Sequence, residues 1–69
     1  LERMTILQHA IGTLAENQRI AFALSKYEDL SYKEIADVMG TTVSAVESLL
    51  NRAKKNLQRK LFNYYKNLE

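Results

Sequence analysis

Residues that interrupt regular backbone structure are nearly missing from this chain. Its 69 residues include no proline and only two glycines, Gly12 and Gly40. Proline and glycine are the two residues that most disfavour the interior of a helix. Leucine, alanine, glutamate, lysine and arginine, which favour helices, are abundant. The sequence therefore predicts an all-α fold, and its 46% of hydrophobic residues is enough for one core.

Two helices are predicted before residue 30, because apolar residues recur there at helical spacing (i, i+3, i+4, i+7). The first has an apolar stripe of Met4, Leu7, Ile11 and Leu14, with Gly12 inside it or near its end. The second opens at Glu16-Asn17, and its predicted core face is Ile20, Ala23, Leu24 and Tyr27, with Phe22 on the flank. We expect these two helices to form a platform for the rest of the chain.

A third helix is marked at both ends. Ser31 and Glu34 have the spacing of a capping box, in which each side chain accepts a hydrogen bond from a free amide at the helix start. Gly40 suits the left-handed residue that ends many helices. The Thr41-Thr42 pair then offers a hydroxyl cap for the next helix. The predicted core face of the third helix is Tyr32, Ile35, Ala36 and Met39.

The fourth predicted helix is the longest and runs from about Val43 to about Lys66. Its apolar stripe consists of Val46, Leu50, Ala53, Leu57, Leu61 and Tyr64, with Leu49 at the edge. The opposite face is hydrophilic and carries Ser44, Ser48, Asn51, Arg52, Lys55 and Arg59. One side of this helix is therefore expected to pack on the domain and the other to face outwards.

The stretch from residue 32 to residue 50 meets the demands of a helix-turn-helix, in which two helices cross at roughly 90–120°. Ala36 provides the small residue where the helices touch, and Gly40 provides the flexible turn. Val46 and Leu50 provide inward-facing branched residues on the second helix. The sequence thus predicts a four-helix domain that contains a helix-turn-helix and no wing, spanning residues 1–69.

Charge is distributed unevenly along the chain. The net charge is only +2, yet residues 51–68 hold all of Arg52, Lys54, Lys55, Arg59, Lys60 and Lys66 and no acid. Such a run fits either a polyanionic partner or a solvated helix face. In a helix-turn-helix the second helix lies in the major groove with its N-terminal residues at the base edges.

That docking mode selects polar residues on the outer face of the fourth helix. Arginine can donate in pairs to guanine, asparagine can pair with adenine, and glutamate can accept from cytosine. Lys55 and Arg59 lie further along and are expected at phosphates, as are the amide ends at Ser31 and Thr42. The residues that this docking mode predicts to bind DNA are Thr42, Ser44, Glu47, Ser48, Asn51, Arg52, Lys55 and Arg59.

Catalytic and metal chemistry is not expected from this sequence. There is no cysteine, His9 is the only histidine, and no nucleophile–base arrangement or glycine-rich phosphate loop occurs. We therefore expect no enzyme activity, cofactor, metal or small-molecule substrate. The apolar stretches are too short for a membrane span. Because the chain starts at Leu1 rather than methionine, it is expected to be a fragment of a longer protein. A cytoplasmic location is expected.

Several short segments together resemble region 4 of bacterial sigma factors, and the extracytoplasmic-function group most closely. They are Leu14–Phe22, Leu30–Ala36, Met39-Gly40 and Val43–Lys54, and the likeness extends over residues 4 to 62. The resemblance implies promoter recognition at the −35 element, docking on the β-flap of RNA polymerase core and masking by an anti-sigma factor. By position it implies that Ser48 and Arg52 face DNA, that Ser44, Glu47 and Asn51 neighbour them, and that Tyr32 and Lys33 lie near the DNA backbone.

The chain departs from the family pattern at Glu47, where a basic residue is common, and at Leu49, where arginine is common. Many members also have a proline at the position of Ala15. Glu47 could accept from a cytosine, hold Arg52 in place or bind a helix amide.

Two other functions are also compatible with the pattern. The first is a response-regulator output domain, from which co-purification with polymerase core would distinguish a sigma factor. The second is a protein-interaction bundle without a DNA role that presents Leu49, Phe62 and Tyr65 to a partner.

Overall fold

Four helices make up the part of the chain that the computed structural model describes, which is the backbone of residues 3–68 and the side chains of residues 5–64 and 66. They are α1 (Arg3–Gly12), α2 (Glu16–Lys26), α3 (Tyr32–Met39) and α4 (Val43–Leu68). Within these bounds there is no strand, so the predicted all-α fold with four helices is confirmed. No helix in this range is long and apolar enough to span a bilayer.

The fold is organised around α4. Its 26 residues correspond to about 39 Å of helix at 1.5 Å per residue, close to the 42 Å longest dimension of the molecule. Each of the other helices packs against α4. The residues that make these contacts form one buried stripe, which we call the apolar seam: Val46, Leu50, Ala53 and Leu57.

The apolar seam takes part in two buried clusters. Its first half packs with α2 and α3 in a cluster of Ala21, Ile35, Ala36, Val46 and Leu50. Its second half packs with α1 in a cluster of Ala10, Ile11, Leu14, Ala53 and Leu57. Phe22 packs against both clusters and so joins them across the middle of the domain. Leu61 extends the second cluster, whereas the predicted contribution of Met4 lies outside the described side chains.

The predicted core face of α2 is wrong at two of its four residues. Ala21 is completely buried, whereas Ile20 is 37% exposed and Tyr27 is 54% exposed. Because α2 contacts both α3 and α4, a small residue is needed where the three helices approach each other. Ile20 and Tyr27 are therefore left exposed, whereas Leu24, predicted on the same face, packs against the cluster with α3 and α4. Tyr32, predicted on the core face of α3, is also wrong, because it is 38% exposed.

The helix-turn-helix has the predicted turn. Gly40 adopts the left-handed conformation with φ 67° and ends α3. The amide of Thr41 donates to the carbonyl oxygen of Ala36 (2.9 Å), and the amide of Gly40 donates to the carbonyl oxygen of Asp37 (3.3 Å). Thr42 then caps α4, because its Oγ1 accepts from the amide of Ala45 (3.1 Å). This pattern satisfies backbone groups at both helix ends within a turn of only three residues, 40–42.

The start of α3 is closed by the predicted capping box. The Glu34 amide donates to Ser31 Oγ (3.2 Å), and the Ser31 amide donates to Glu34 Oε1 (2.8 Å). The hydrogen bond from the Ser31 backbone, helped by the one with its side chain, lowers the pKa of Glu34 from its ordinary value of 4.5. Both bonds fix the angle at which the chain enters the helix-turn-helix.

Replacing Gly40 by alanine tests the left-handed turn. No atom lies within 4 Å of a Cβ at this position, so the cost arises from backbone strain alone. We expect G40A to lower the free energy of unfolding by about 1–2 kcal/mol, as measured by urea denaturation. Gly12 has equally open surroundings but no positive φ. The control G12A should therefore be neutral or stabilising by up to about 1 kcal/mol; equal losses in both variants would contradict the role of the turn.

The capping box also predicts a pH dependence. Because the pKa of Glu34 is lowered in the folded chain, its contribution to stability is present above the ordinary value of 4.5 and is lost as the pH falls through the lower folded value. We expect the variant E34Q, which retains an acceptor oxygen but does not titrate, to lose less stability than the wild type between pH 5 and pH 2 (roughly the acid-unfolding window). Thermal unfolding followed by circular dichroism would measure this, and parallel pH profiles would contradict it.

Candidate nucleic-acid interface

All ten residues predicted to bind DNA are solvent-exposed, and seven of them lie on α4. We call these seven the polar face: Ser44, Glu47, Ser48, Asn51, Arg52, Lys55 and Arg59. At about 100° per residue six of them fall on the side of the helix opposite the apolar seam, and Glu47 lies on the flank between the two sides. The sequence pattern thus located both sides of α4 correctly, although exposure by itself does not assign a ligand.

The polar face extends over fifteen residue steps, from Ser44 to Arg59, which is about 22 Å along the helix axis. Its first part carries short hydroxyl, amide and carboxylate groups, and its second part carries long cations. Tyr32 and Lys33 lie at the start of α3, and Thr42 lies at the start of α4. The two helix starts and the polar face therefore belong to the same helix-turn-helix unit.

The basic run of α4 does not form a single charged face. Arg52 and Lys55 make no hydrogen bond or ion pair within the described part of the chain, so their charges are available to a partner. Lys60 is partly buried, and its Nζ donates to Thr13 Oγ1 (2.6 Å) in the segment after α1. This lysine therefore links two elements of the domain, a role that its membership of a charge run did not indicate.

Arg59 is held by a chain of hydrogen bonds that sequence reasoning missed. Its Nη2 donates to Asn56 Oδ1 (2.7 Å), and Asn56 Nδ2 donates to Gln18 Oε1 (2.9 Å) on α2. Asn56 and Gln18 are both partly buried. The sequence indicated only the spacing of three residues between Asn56 and Arg59. It gave no signal for Gln18, because this residue is distant in sequence.

Glu47 makes no hydrogen bond or ion pair to any described residue. Of the three roles considered for it, holding Arg52 and capping a helix amide therefore do not occur in this structure. The amide in the first turn of α4 is bound by Thr42 instead. Its exposed carboxylate remains available as an acceptor for an external donor.

The starts of α3 and α4 differ in how well they could bind an anion. At α3 the amides of Ser31 and Glu34 are already engaged in the capping box, and the Glu34 carboxylate adds a negative charge there that would repel a phosphate. The first turn of α4 contains no acid. The start of α4, rather than that of α3, therefore suits a phosphate.

The alternative of a protein-interaction bundle, which would present Leu49, Phe62 and Tyr65 to a partner, is weakened at Leu49. Leu49 packs against the cluster between α2, α3 and α4 and is only partly exposed, whereas Phe62 is 66% exposed. The side chain of Tyr65 lies outside the described part. An apolar groove is lined by Thr5, Ile6, His9 and Tyr64, between α1 and the far end of α4. Among the residues described, no cluster could hold a metal ion.

Comparison with known proteins identifies the family. The family described as sigma-70, region 4 matches residues 4–57. The Positive control factor of Bacillus subtilis (strain 168) is 34% identical over 53 residues, which cover 77% of this chain and 31% of that protein. The chain thus spans about a third of the length of this curated relative. The family match ends before Arg59, so the last part of α4 lies beyond it.

These findings agree with the predicted helix-turn-helix and with the expectation that the chain is not an enzyme. The narrower resemblance to the extracytoplasmic-function group stays a prediction. By its fold, by the exposed polar face on α4 and by the match over most of its length, the chain belongs to the sigma-70 region 4 family, whose helix-turn-helix domains bind promoter DNA in transcription initiation.

Proposed function

We propose that this domain recognises the −35 promoter element as the C-terminal domain of a sigma factor of the extracytoplasmic-function group. The observation that carries the proposal is the separation of α4 into a buried apolar seam and a solvent-exposed polar face. A helix anchored along one side presents the other as a rigid rod, and the major groove is wide enough (about 12 Å) to admit it.

In the proposed complex, the first half of the polar face lies at the base edges. Ser44, Ser48 and Asn51 supply short hydrogen-bonding groups, and Arg52 supplies a paired donor for guanine. Lys55 and Arg59 contact phosphates further along the groove, while Tyr32, Lys33 and the Thr42 end of α4 contact the DNA backbone. Phosphate contacts fix the position of the domain, and the contacts of α4 to bases provide the sequence preference.

The proposed partners beyond DNA are RNA polymerase core, through its β-flap, and an anti-sigma factor. The apolar groove at Ile6 and Tyr64 supports a protein contact, because it lies on the seam side of α4 and would remain accessible when the polar face is in DNA. Family membership favours a sigma-type regulator over a response-regulator output domain. We propose that the domain is part of a longer protein that acts where the chromosome lies, in the cytoplasm.

Arg52 is the residue on which base recognition most depends in this proposal. We expect R52A to weaken binding to a duplex selected from a random library by about 1–3 kcal/mol and to relax the preference at one base pair. Fluorescence anisotropy at low, matched salt measures the affinity, and selection with the variant measures the preference.

The matched control for this experiment is K60Q. It removes one positive charge from the same helix, but on the side where Lys60 is bound to Thr13. We expect K60Q to bind the selected duplex nearly as well as the wild type. Wild-type affinity and preference in R52A, or an equal loss in K60Q, would contradict base recognition by Arg52.

Glu47 gives a prediction about which base is preferred. A carboxylate accepts from the amino group of cytosine, whereas a glutamine amide pairs with adenine, and each such contact contributes about 1–3 kcal/mol of discrimination. We expect selection with the variant E47Q to replace a cytosine by an adenine at one position. The same exchange on α3, E34Q, should leave the selected sequence unchanged. Identical selected sequences for E47Q and the wild type would exclude a base contact by Glu47.

A further inference from the structure

We propose that Asn56 and Gln18 are positioning residues that hold the Arg59 guanidinium ready for a DNA phosphate. The inference rests on the proposed DNA-binding function and adds to it two residues that do not touch DNA themselves. Arg59 lies at the end of the polar face and beyond residues 4–57, which match the family, so the family match does not assign this arrangement.

The geometry starts from α2 and ends at the polar face. Gln18 and Asn56 are partly buried at the contact between α2 and α4, whereas Arg59 is exposed. The hydrogen bond between the two amides spans 38 residues of sequence and measures 2.9 Å, and the bond from Arg59 to Asn56 measures 2.7 Å. The guanidinium is thereby connected to a neighbouring helix rather than only to its own.

The donors and acceptors of the three side chains allow only one order of hydrogen bonds, in which Arg59 donates to Asn56 and Asn56 donates to Gln18. A guanidinium has donors only, so Asn56 must present its carbonyl oxygen to Arg59. The Asn56 amino group is then left to donate, and the Gln18 carbonyl oxygen accepts from it. The remaining donors of Arg59 are free to bind an anion on the outer side. No carboxylate takes part, so the full positive charge of the guanidinium is retained for that anion.

The expected benefit is a lower entropic cost of binding. An unrestrained arginine has many rotamers, and immobilising such a side chain in an interface weakens binding by about two- to tenfold relative to one that is already ordered. Preordering does not change how many phosphates are neutralised. Loss of Asn56 should therefore lower the affinity without changing its salt dependence, whereas loss of Arg59 should change both.

The test measures binding of the 69-residue chain to a short fluorescein-labelled duplex of mixed sequence, over a series of salt concentrations. We expect N56A to weaken binding about two- to tenfold at each salt concentration, with an unchanged slope of log affinity against log salt. R59A should reduce the magnitude of that slope by about 0.9. The double variant should bind like R59A, because Asn56 acts through Arg59. The isosteric variant Q18M should change affinity in the same direction as N56A.

The control is T13V, which removes a different side-chain link to α4, the one to Lys60. We expect wild-type affinity from it. If N56A weakens binding in the R59A background as much as in the wild type, or if T13V weakens binding as much as N56A, Asn56 has only a structural role and the inference is wrong. If the wild type binds with a clear salt slope but N56A is unchanged, positioning is refuted while DNA binding stands. If the wild type does not bind the duplex at all, both proposals are overturned.

Discussion

The apolar seam of α4 is the interaction on which the rest of the domain depends. Val46 and Ala53 are completely buried, and the seam connects a cluster with α2 and α3 to a cluster with α1. In proteins most of the stability of a helix comes from tertiary packing of its apolar face rather than from helix propensity. Packing of the seam therefore both stabilises α4 and determines which side of it is left in solvent.

DNA binding is compatible with this arrangement because one side of α4 packs against the domain and the other side is left free to contact a partner. The apolar seam is buried and consists only of apolar residues, whereas the seven residues of the polar face are all exposed to solvent. Arg52 and Lys55 are free for a polyanion, while Lys60 and Asn56 at the margins connect α4 to the rest of the domain. Some cations of the basic segment are thus available to a partner, while Lys60 stabilises the domain. The net charge of the segment does not distinguish these two roles.

Local signals accounted for most of the fold. The capping box at Ser31, the left-handed Gly40 and the Thr42 cap each involve residues within a few positions of one another, so sequence spacing was sufficient to predict them. The prediction failed for part of α2, where Ala21 rather than Ile20 or Tyr27 faces the core. Which residue of α2 is buried depends on two other helices approaching from different directions, and periodicity along one helix does not contain that information.

The sequence by itself determined the helices, their ends and the division of α4 into an apolar and a hydrophilic side, because backbone propensity, capping and helical periodicity are properties of neighbouring residues. Only the tertiary structure decided that Leu49 packs inwards, that Lys60 binds Thr13 and that Arg59 is linked through Asn56 to Gln18. These contacts join residues far apart in the chain, and they arise from how the helices pack rather than from any local preference.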